Sequence, residues 1–95
     1  MKPTLEIKPT GTFRRNLKLI ARRGYDLGKL ETVVDQLSRM EPLPAACRDH
    51  PLTGNWQGFR ECPIEPDWIL IYAVRQDALI LVLAATGTHS DLFGK

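Results

Sequence analysis

Two histidines stand out in this chain by their placement, His50 in Asp49-His50-Pro51-Leu52 and His89 in Thr86-Gly87-Thr88-His89-Ser90-Asp91-Leu92-Phe93, with Arg60, Glu61 and Asp67 between them. Each falls at the end of a strand-like segment, where a loop presents it. Imidazole has an unperturbed pKa close to neutrality, so two such rings beside carboxylates and a guanidinium can supply an acid, a base and an anion stabiliser. That set suits the cleavage of a phosphate ester. Taken singly, each residue has a plainer role open to it. The histidines serve equally as polar loop residues, Asp67 as the cap of a turn at Pro66, Arg60 as a partner for Glu61 or Glu65, and Phe93 as an anchor for the C-terminal tail.

Other chemistries find less support. Structural zinc needs clustered ligands, whereas Cys47 and Cys62 are isolated and neither an H-E-x-x-H nor an H-x₃₋₅-H string occurs. A Gly-rich phosphate loop, a nucleophile elbow and a dinucleotide fingerprint are also missing from the sequence, so neither a metal nor a cofactor is expected.

At 95 residues, with 43% hydrophobic and 25% charged content, the chain has room for one core, and a single domain over residues 1–95 is expected. Its apolar runs, Trp68 to Val74 and Ala78 to Ala85, are broken by Arg75 and Asp77. They fall far short of the roughly 20 residues that a membrane helix needs. The lack of an apolar secretion signal and the spacing of the cysteines make the cytoplasm the expected compartment. The net charge of +2 is unevenly spread: residues 1–30 carry eight Lys/Arg against two acids, and residues 31–70 three against seven. A basic segment of this kind suits a polyanion such as RNA, or else forms a solvated helix face.

The elements that must hold these groups follow from periodicity. Thr4 to Lys8 alternates Leu5 and Ile7 with polar residues as a short strand, which Pro9 and Gly11 end. Thr12 is positioned to cap a helix carrying Phe13, Leu17, Ile20 and Ala21 on one side and Arg15, Lys18 and Arg22 on the other, with Gly24 as its C-cap. Asp26 caps a second helix bearing Leu27, Leu30, Val33, Val34, Leu37 and Met40, which Pro42 and Pro44 close. The short link at Gly24-Tyr25 makes the two helices an antiparallel hairpin whose shared seam needs another layer. Pro42 to Asn55 reads as a loop with one helical turn near Ala45 to Arg48. Trp56 to Glu61, Trp68 to Val74 and Leu79 to Ala85 read as an antiparallel meander, with the first strand added at an edge. The expected class is α+β: an N-terminal antiparallel helical hairpin packed on one face of a small twisted, mainly antiparallel sheet, the other face partly open.

The strings Asp49-His50-Pro51-Leu52, Gly54-Asn55-Trp56-Gln57-Gly58-Phe59-Arg60-Glu61, Glu65-Pro66-Asp67-Trp68-Ile69-Leu70-Ile71-Tyr72 and Thr86 to Phe93 together resemble the YafQ-type toxins of the RelE/ParE superfamily. The similarity spans nearly the whole chain, helical hairpin included. It implies a RelE-like fold and a bacterial type II toxin that cleaves mRNA in the ribosomal A site. The implied partners are the ribosome, the mRNA and a cognate antitoxin, with a hetero-oligomer when the antitoxin is bound and a monomer when free. Under this resemblance His89 falls on the family's principal catalytic histidine, His50 and Asp67 on active-site positions, Glu61 on an acidic position and Phe93 on an aromatic near the substrate. One departure matters: relatives often carry a further histidine two residues after the acid, where this chain has Pro63.

The implied chemistry is transesterification without metal, in which the RNA 2′-hydroxyl attacks its own 3′-phosphate and the 5′-hydroxyl leaves. His89 is read as the acid, His50 or Asp67 as the base, Glu61 as a residue that orients a histidine, and Arg60 as the stabiliser of developing charge. Arg14, Arg15, Lys18, Arg22 and Arg23 on the first helix are read as grips for RNA phosphates. The competing reading is a non-catalytic module on the same fold, of gyrase-poisoning or peptide-binding type.

Overall fold

The computed structural model describes residues 4–43 and 49–94. The helical turn expected near Ala45 to Arg48 lies outside them. The described elements run β1 (Glu6–Pro9), α1 (Gly11–Arg22), α2 (Leu27–Ser38), β2 (His50–Pro51), β3 (Arg60–Glu65), β4 (Trp68–Arg75), β5 (Ile80–Gly87) and α3 (His89–Phe93). The strands form one sheet in the order β1-β5-β4-β3-β2. The expected meander is present as the antiparallel pairs β3–β4 and β4–β5, and β1 joins at the edge, parallel to β5. This is the expected α+β class.

Both helices bury one stripe against one face of the sheet. Phe13 and Ile20 of α1, with Leu30 and Leu37 of α2, join Leu5, Cys62, Trp68, Leu70, Tyr72, Leu81 and Leu83 in the main core. Removing these apolar surfaces from water is the chief favourable contribution to the fold. The start of α1 differs from expectation. Its N-cap is Thr10, whose hydroxyl accepts from the Phe13 N–H, while Thr12 lies inside the first turn. Thr10 is the residue still in an extended conformation, as a cap must be. Asp26 caps α2 as expected, its carboxylate accepting from the Gly28 N–H.

Strand β1 is only four residues long and covers Ile80 to Leu83 of β5. Beyond that point α1 takes over the edge: the Thr10 hydroxyl donates to the Ala84 carbonyl at 2.8 Å, and the Asn16 side-chain oxygen accepts from the Thr86 N–H at 3.2 Å. Backbone groups that lack a strand partner are thereby satisfied by side chains.

Two register shifts aim the strands. In β4–β5, Tyr72 opposes Leu83 while Ile71 opposes Ala85, which leaves Ala84 as an extra residue. One inserted residue inverts the alternation of faces, so Leu83 lies in the helix-side core and Ala85 on the opposite side. The second shift falls between Pro63 and Glu65 in β3.

The far face of the sheet is more covered than the sequence led one to expect. Ile69, Ile71, Ala84 and Ala85 are buried there beneath Leu52, Trp56, Phe59, Leu92 and Phe93. The expected strand from Trp56 is instead a turn of 3₁₀ helix at Gly54–Trp56, and regular pairing begins at Arg60. Gly54 and Gly58 both have positive φ, which interrupts an extended run. Trp56 and Phe59 pack edge to face, with ring centroids 5.7 Å apart.

Candidate active site

Alternation along β3 divides its polar residues between the two faces. Glu61 opposes Ile71 and lies on the far face, whereas Arg60 opposes Tyr72 and lies on the helix side. Strand β2 repeats the division, because His50 pairs with Glu61 across the ladder. Far from being simply a loop residue, His50 belongs to a two-residue strand, and this fixes its approach to Glu61.

His89 reaches the same face from the end of β5, on the other flank of β3 from His50. Strand β5 ends at Gly87, and Thr88 begins α3 with a capping box: its hydroxyl accepts from the Asp91 N–H, and the Asp91 carboxylate accepts from the Thr88 N–H. His89 is the first residue of this helix. Asp67, in the turn between β3 and β4, accepts from the His89 backbone N–H at 3.2 Å, and the same oxygen lies 3.0 Å from the ring Nδ1.

These placements converge on Glu61. Its Oε2 is 2.9 Å from His50 Nε2, and its Oε1 is 3.4 Å from His89 Nε2. The Glu61 side chain is 8% exposed, against 50% for His50 and 45% for His89. One buried carboxylate therefore bridges two half-exposed imidazoles. A buried charge of this kind is tolerable only when its oxygens have partners, and here both do.

The orientation of the His89 ring follows from its neighbour. Hydrogen bonds from the His89 ring and backbone hold the Asp67 carboxyl below its ordinary pKa, so near neutrality it is ionised and only accepts. The ring nitrogen facing it must then be an N–H, leaving Nε2 as the nitrogen that faces Glu61 and solvent. Phe93 lies one helical turn beyond His89, its ring centroid 6.0 Å from the imidazole and tilted by 38°.

Arg60 is not brought to this cluster. Its Nε donates to Asp49 Oδ1 at 2.9 Å on the helix-side face, and the Tyr72 hydroxyl donates to the other oxygen of Asp49. Burial, followed by the bond to Asp49, pushes the Tyr72 hydroxyl well above its usual range. The plainer alternative, Arg60 paired with Glu61 or Glu65, gives way to this Asp49–Tyr72–Arg60 group. Asp49 and His50 are adjacent in sequence and serve opposite faces. Period-two alternation in the Asp49-His50 string was the signal that could have separated them.

The basic residues of α1 divide as well. Arg14, Arg15, Lys18 and Arg22 are exposed on the helix. Arg23, just past its end, donates both terminal nitrogens to Asp91, at 2.7 and 3.1 Å. Asp91 and Thr88 went unassigned from sequence, although a Thr-x-x-Asp box directly after a strand is a readable helix start. Among the described residues, no group of three or more His, Cys, Asp and Glu side chains is arranged to hold a metal ion. Nor is any helix among them long and apolar enough to cross a membrane.

Residues 5–94 match the family described as bacterial toxin of type II toxin-antitoxin system, YafQ. The chain is 41% identical over 90 residues to mRNA interferase toxin YafQ of Escherichia coli strain K12, covering 94% of this chain and 96% of the relative. It superposes with a TM-score of 0.89 on the crystal structure of YafQ from E. coli strain BL21(DE3), at 40% identity, covering 95% of this chain and 99% of that one. The toxin in the E. coli DinJ-YafQ toxin-antitoxin complex gives a TM-score of 0.86 at 40% identity, covering 96% of this chain and 99% of that one.

Proposed function

Since the chain belongs to the YafQ family of toxins of bacterial type II toxin-antitoxin systems, we propose that it is an endoribonuclease that cleaves mRNA in the ribosomal A site by acid–base transesterification. The observation that carries this reading is the bridge in which Glu61 joins His50 to His89 while Asp67 holds the other nitrogen of His89.

In this mechanism the RNA 2′-hydroxyl attacks the adjacent phosphorus. It gives up its proton to a base, and the 5′-oxygen takes a proton from an acid as its bond to phosphorus breaks. The products are a 2′,3′-cyclic phosphate and a 5′-hydroxyl. His89 is the acid in its imidazolium form: Asp67 accepts from Nδ1–H, and the proton on Nε2, the nitrogen turned toward Glu61, passes to the leaving oxygen. His50 is the base. Asp67 is poorly suited to that role, since its carboxyl is lowered by its bonds to His89 and is already engaged. Glu61 orients both rings and stabilises the charge that His50 acquires. Arg60 supports β2 through Asp49 instead of meeting the phosphorane. Phe93 offers an aromatic face for a base beside the scissile bond.

Arg14, Arg15, Lys18 and Arg22 are assigned to phosphate contacts, whose strength should fall steeply with salt. The neutralising partner is a cognate antitoxin, by analogy with the E. coli relative solved with DinJ. The outer edge of β1, with Ile7 43% exposed, is a surface that such a partner can extend or cover. The test is 5′-end mapping of a translated message with parent protein, with and without ribosomes. Ribosome-dependent cuts support the reading, and growth arrest with intact message favours the non-catalytic module.

A further inference from the structure

Helix α3 contains only five residues. A helix this short does not hold its own position in water, so the placement of His89 must come from outside contacts. Asp67 holds His89 itself, and Leu92 and Phe93 pack on the far face of the sheet. The remaining anchor is Asp91. Its Oδ2 accepts from the Thr88 N–H at 3.0 Å and from Arg23 Nη1 at 2.7 Å, while its Oδ1 accepts from Arg23 Nη2 at 3.1 Å. The carboxylate that closes the capping box is thus also clamped by the end of α1. The carboxylate also packs against the end of β5: a Cβ built on Gly87, whose φ is +156°, would lie 3.1 Å from Asp91 Oδ2.

Arg23 is in turn fixed to the sheet, because α1 is bonded to β5 through Thr10–Ala84 and Asn16–Thr86. A two-point guanidinium–carboxylate contact specifies geometry as well as charge. It also commits both terminal nitrogens of Arg23 to protein, which sets this residue apart from the phosphate-gripping role read from the sequence. We infer that Arg23 is a positioning residue that, through Asp91, holds α3 in the orientation presenting His89 to Glu61 and the substrate. This inference rests on the assignment of His89 as a catalytic residue.

The experiment compares Arg23→Ala, Arg23→Lys, Asp91→Asn, Asp91→Ala and Arg23→Ala/Asp91→Ala with the parent in single-turnover cleavage of ribosome-bound mRNA at two salt concentrations. Amide hydrogen exchange of residues 88–93 is measured on the same proteins, and His89→Ala is the reference for loss of chemistry. Arg23→Ala and Asp91→Ala are each expected to lower the maximal rate about ten-fold, with half-saturation changed less than about two-fold and faster exchange in α3. The double variant should be no slower than Asp91→Ala, while Arg23→Lys and Asp91→Asn should retain intermediate rates. Weakened, salt-sensitive half-saturation for Arg23→Ala with an unchanged maximal rate and unchanged exchange overturns the inference and makes Arg23 a phosphate contact. So does additive loss in the double variant. An active His89→Ala protein overturns the catalytic assignment instead, and the exchange data then still report whether Arg23 holds α3.

Discussion

Glu61 lies directly opposite His50 across the β2–β3 ladder, with Oε2 2.9 Å from His50 Nε2, and it reaches His89 with its other oxygen. A single strand position thereby couples a histidine on the sheet edge to one on a C-terminal helix. Replacing Glu61 by Gln keeps the shape and removes the charge, so cleavage should fall by about 10–100-fold, as for other residues that orient a reacting group. Because the site buries a carboxylate for function, Glu61→Met should unfold at a temperature no lower than the parent while losing activity. Thermal unfolding and cleavage measured on the same protein check both halves.

Asp67 orients His89 but does not exchange a proton with substrate in this mechanism. Asp67→Asn still accepts a hydrogen bond through its amide oxygen, so it should retain more activity than Asp67→Ala. Asparagine equal to alanine in steady-state cleavage would argue for a role in which the Asp67 charge itself is required.

Arg60 sits on the helix-side face with Asp49 and Tyr72. Arg60→Ala should therefore lower stability and loosen β2, cutting cleavage by less than about ten-fold through the displacement of His50. Rescue toward parental rates at lower temperature would fit that indirect route, whereas a loss as deep as that of a histidine variant in a fully folded protein would restore Arg60 to the reacting centre.

Pro63 shares the Glu61 face of β3 by period-two alternation and opposes Ile69, which in turn opposes Gly87. Among the described residues β2 pairs with β3 only at Arg60 and Glu61, and a position outside that ladder lets the strand accept proline. A histidine at this position would add a titrating group beside the bridge. Pro63→His is expected to raise single-turnover cleavage about five-fold if proton transfer limits the rate. An unchanged rate would mean that two histidines suffice.

Acid should weaken the clasp on α3. The Arg23 guanidinium, ahead of the Thr88 N–H, holds the Asp91 carboxyl far below the usual carboxylate range. A carboxyl depressed in the folded state contributes stability above its unfolded value, about 3.9, and loses that contribution as pH falls through the folded value. Asp91→Asn should therefore melt below the parent at pH 7, with the gap closing progressively under acid. A gap that widened under acid would contradict the assignment.

Thr86 shows how core and site are linked. Its buried hydroxyl accepts from Trp68 Nε1 and donates to the Ile69 carbonyl, both at 2.9 Å, immediately before the Gly87–His89 turn. Thr86→Val leaves two buried groups unpaired and should cost about 1–3 kcal/mol in denaturant unfolding.

Much of this architecture was legible because it follows local periodicity. The apolar stripes of α1 and α2, the Asp26 cap and the antiparallel order of the three meander strands follow from spacing and turn residues, although the first of those strands begins at Arg60 and not at Trp56. What escaped depended on partners distant in sequence. Thr10 outcompetes Thr12 as cap because its hydroxyl also donates to Ala84, a contact 74 residues away. Arg60 and Glu61 were grouped by adjacency, whereas strand alternation sends them to opposite faces. The extra residue at Ala84 resets that alternation and steers β5 toward the His89 turn, and no local pattern announces it. The two histidines, Asp67 and Glu61 as a residue that orients a histidine are all legible in the sequence, but that Glu61 joins both rings follows only from the two-residue β2 and the His89 turn.

The most direct test is cleavage of a translated message by purified ribosomes with parent or His89→Ala protein, read by 5′-end mapping beside circular dichroism of both. The account predicts that the variant folds like the parent and cleaves at least about 100-fold more slowly, with the parent's cuts requiring ribosomes. A folded His89→Ala protein that cleaves within a few-fold of the parent would contradict it.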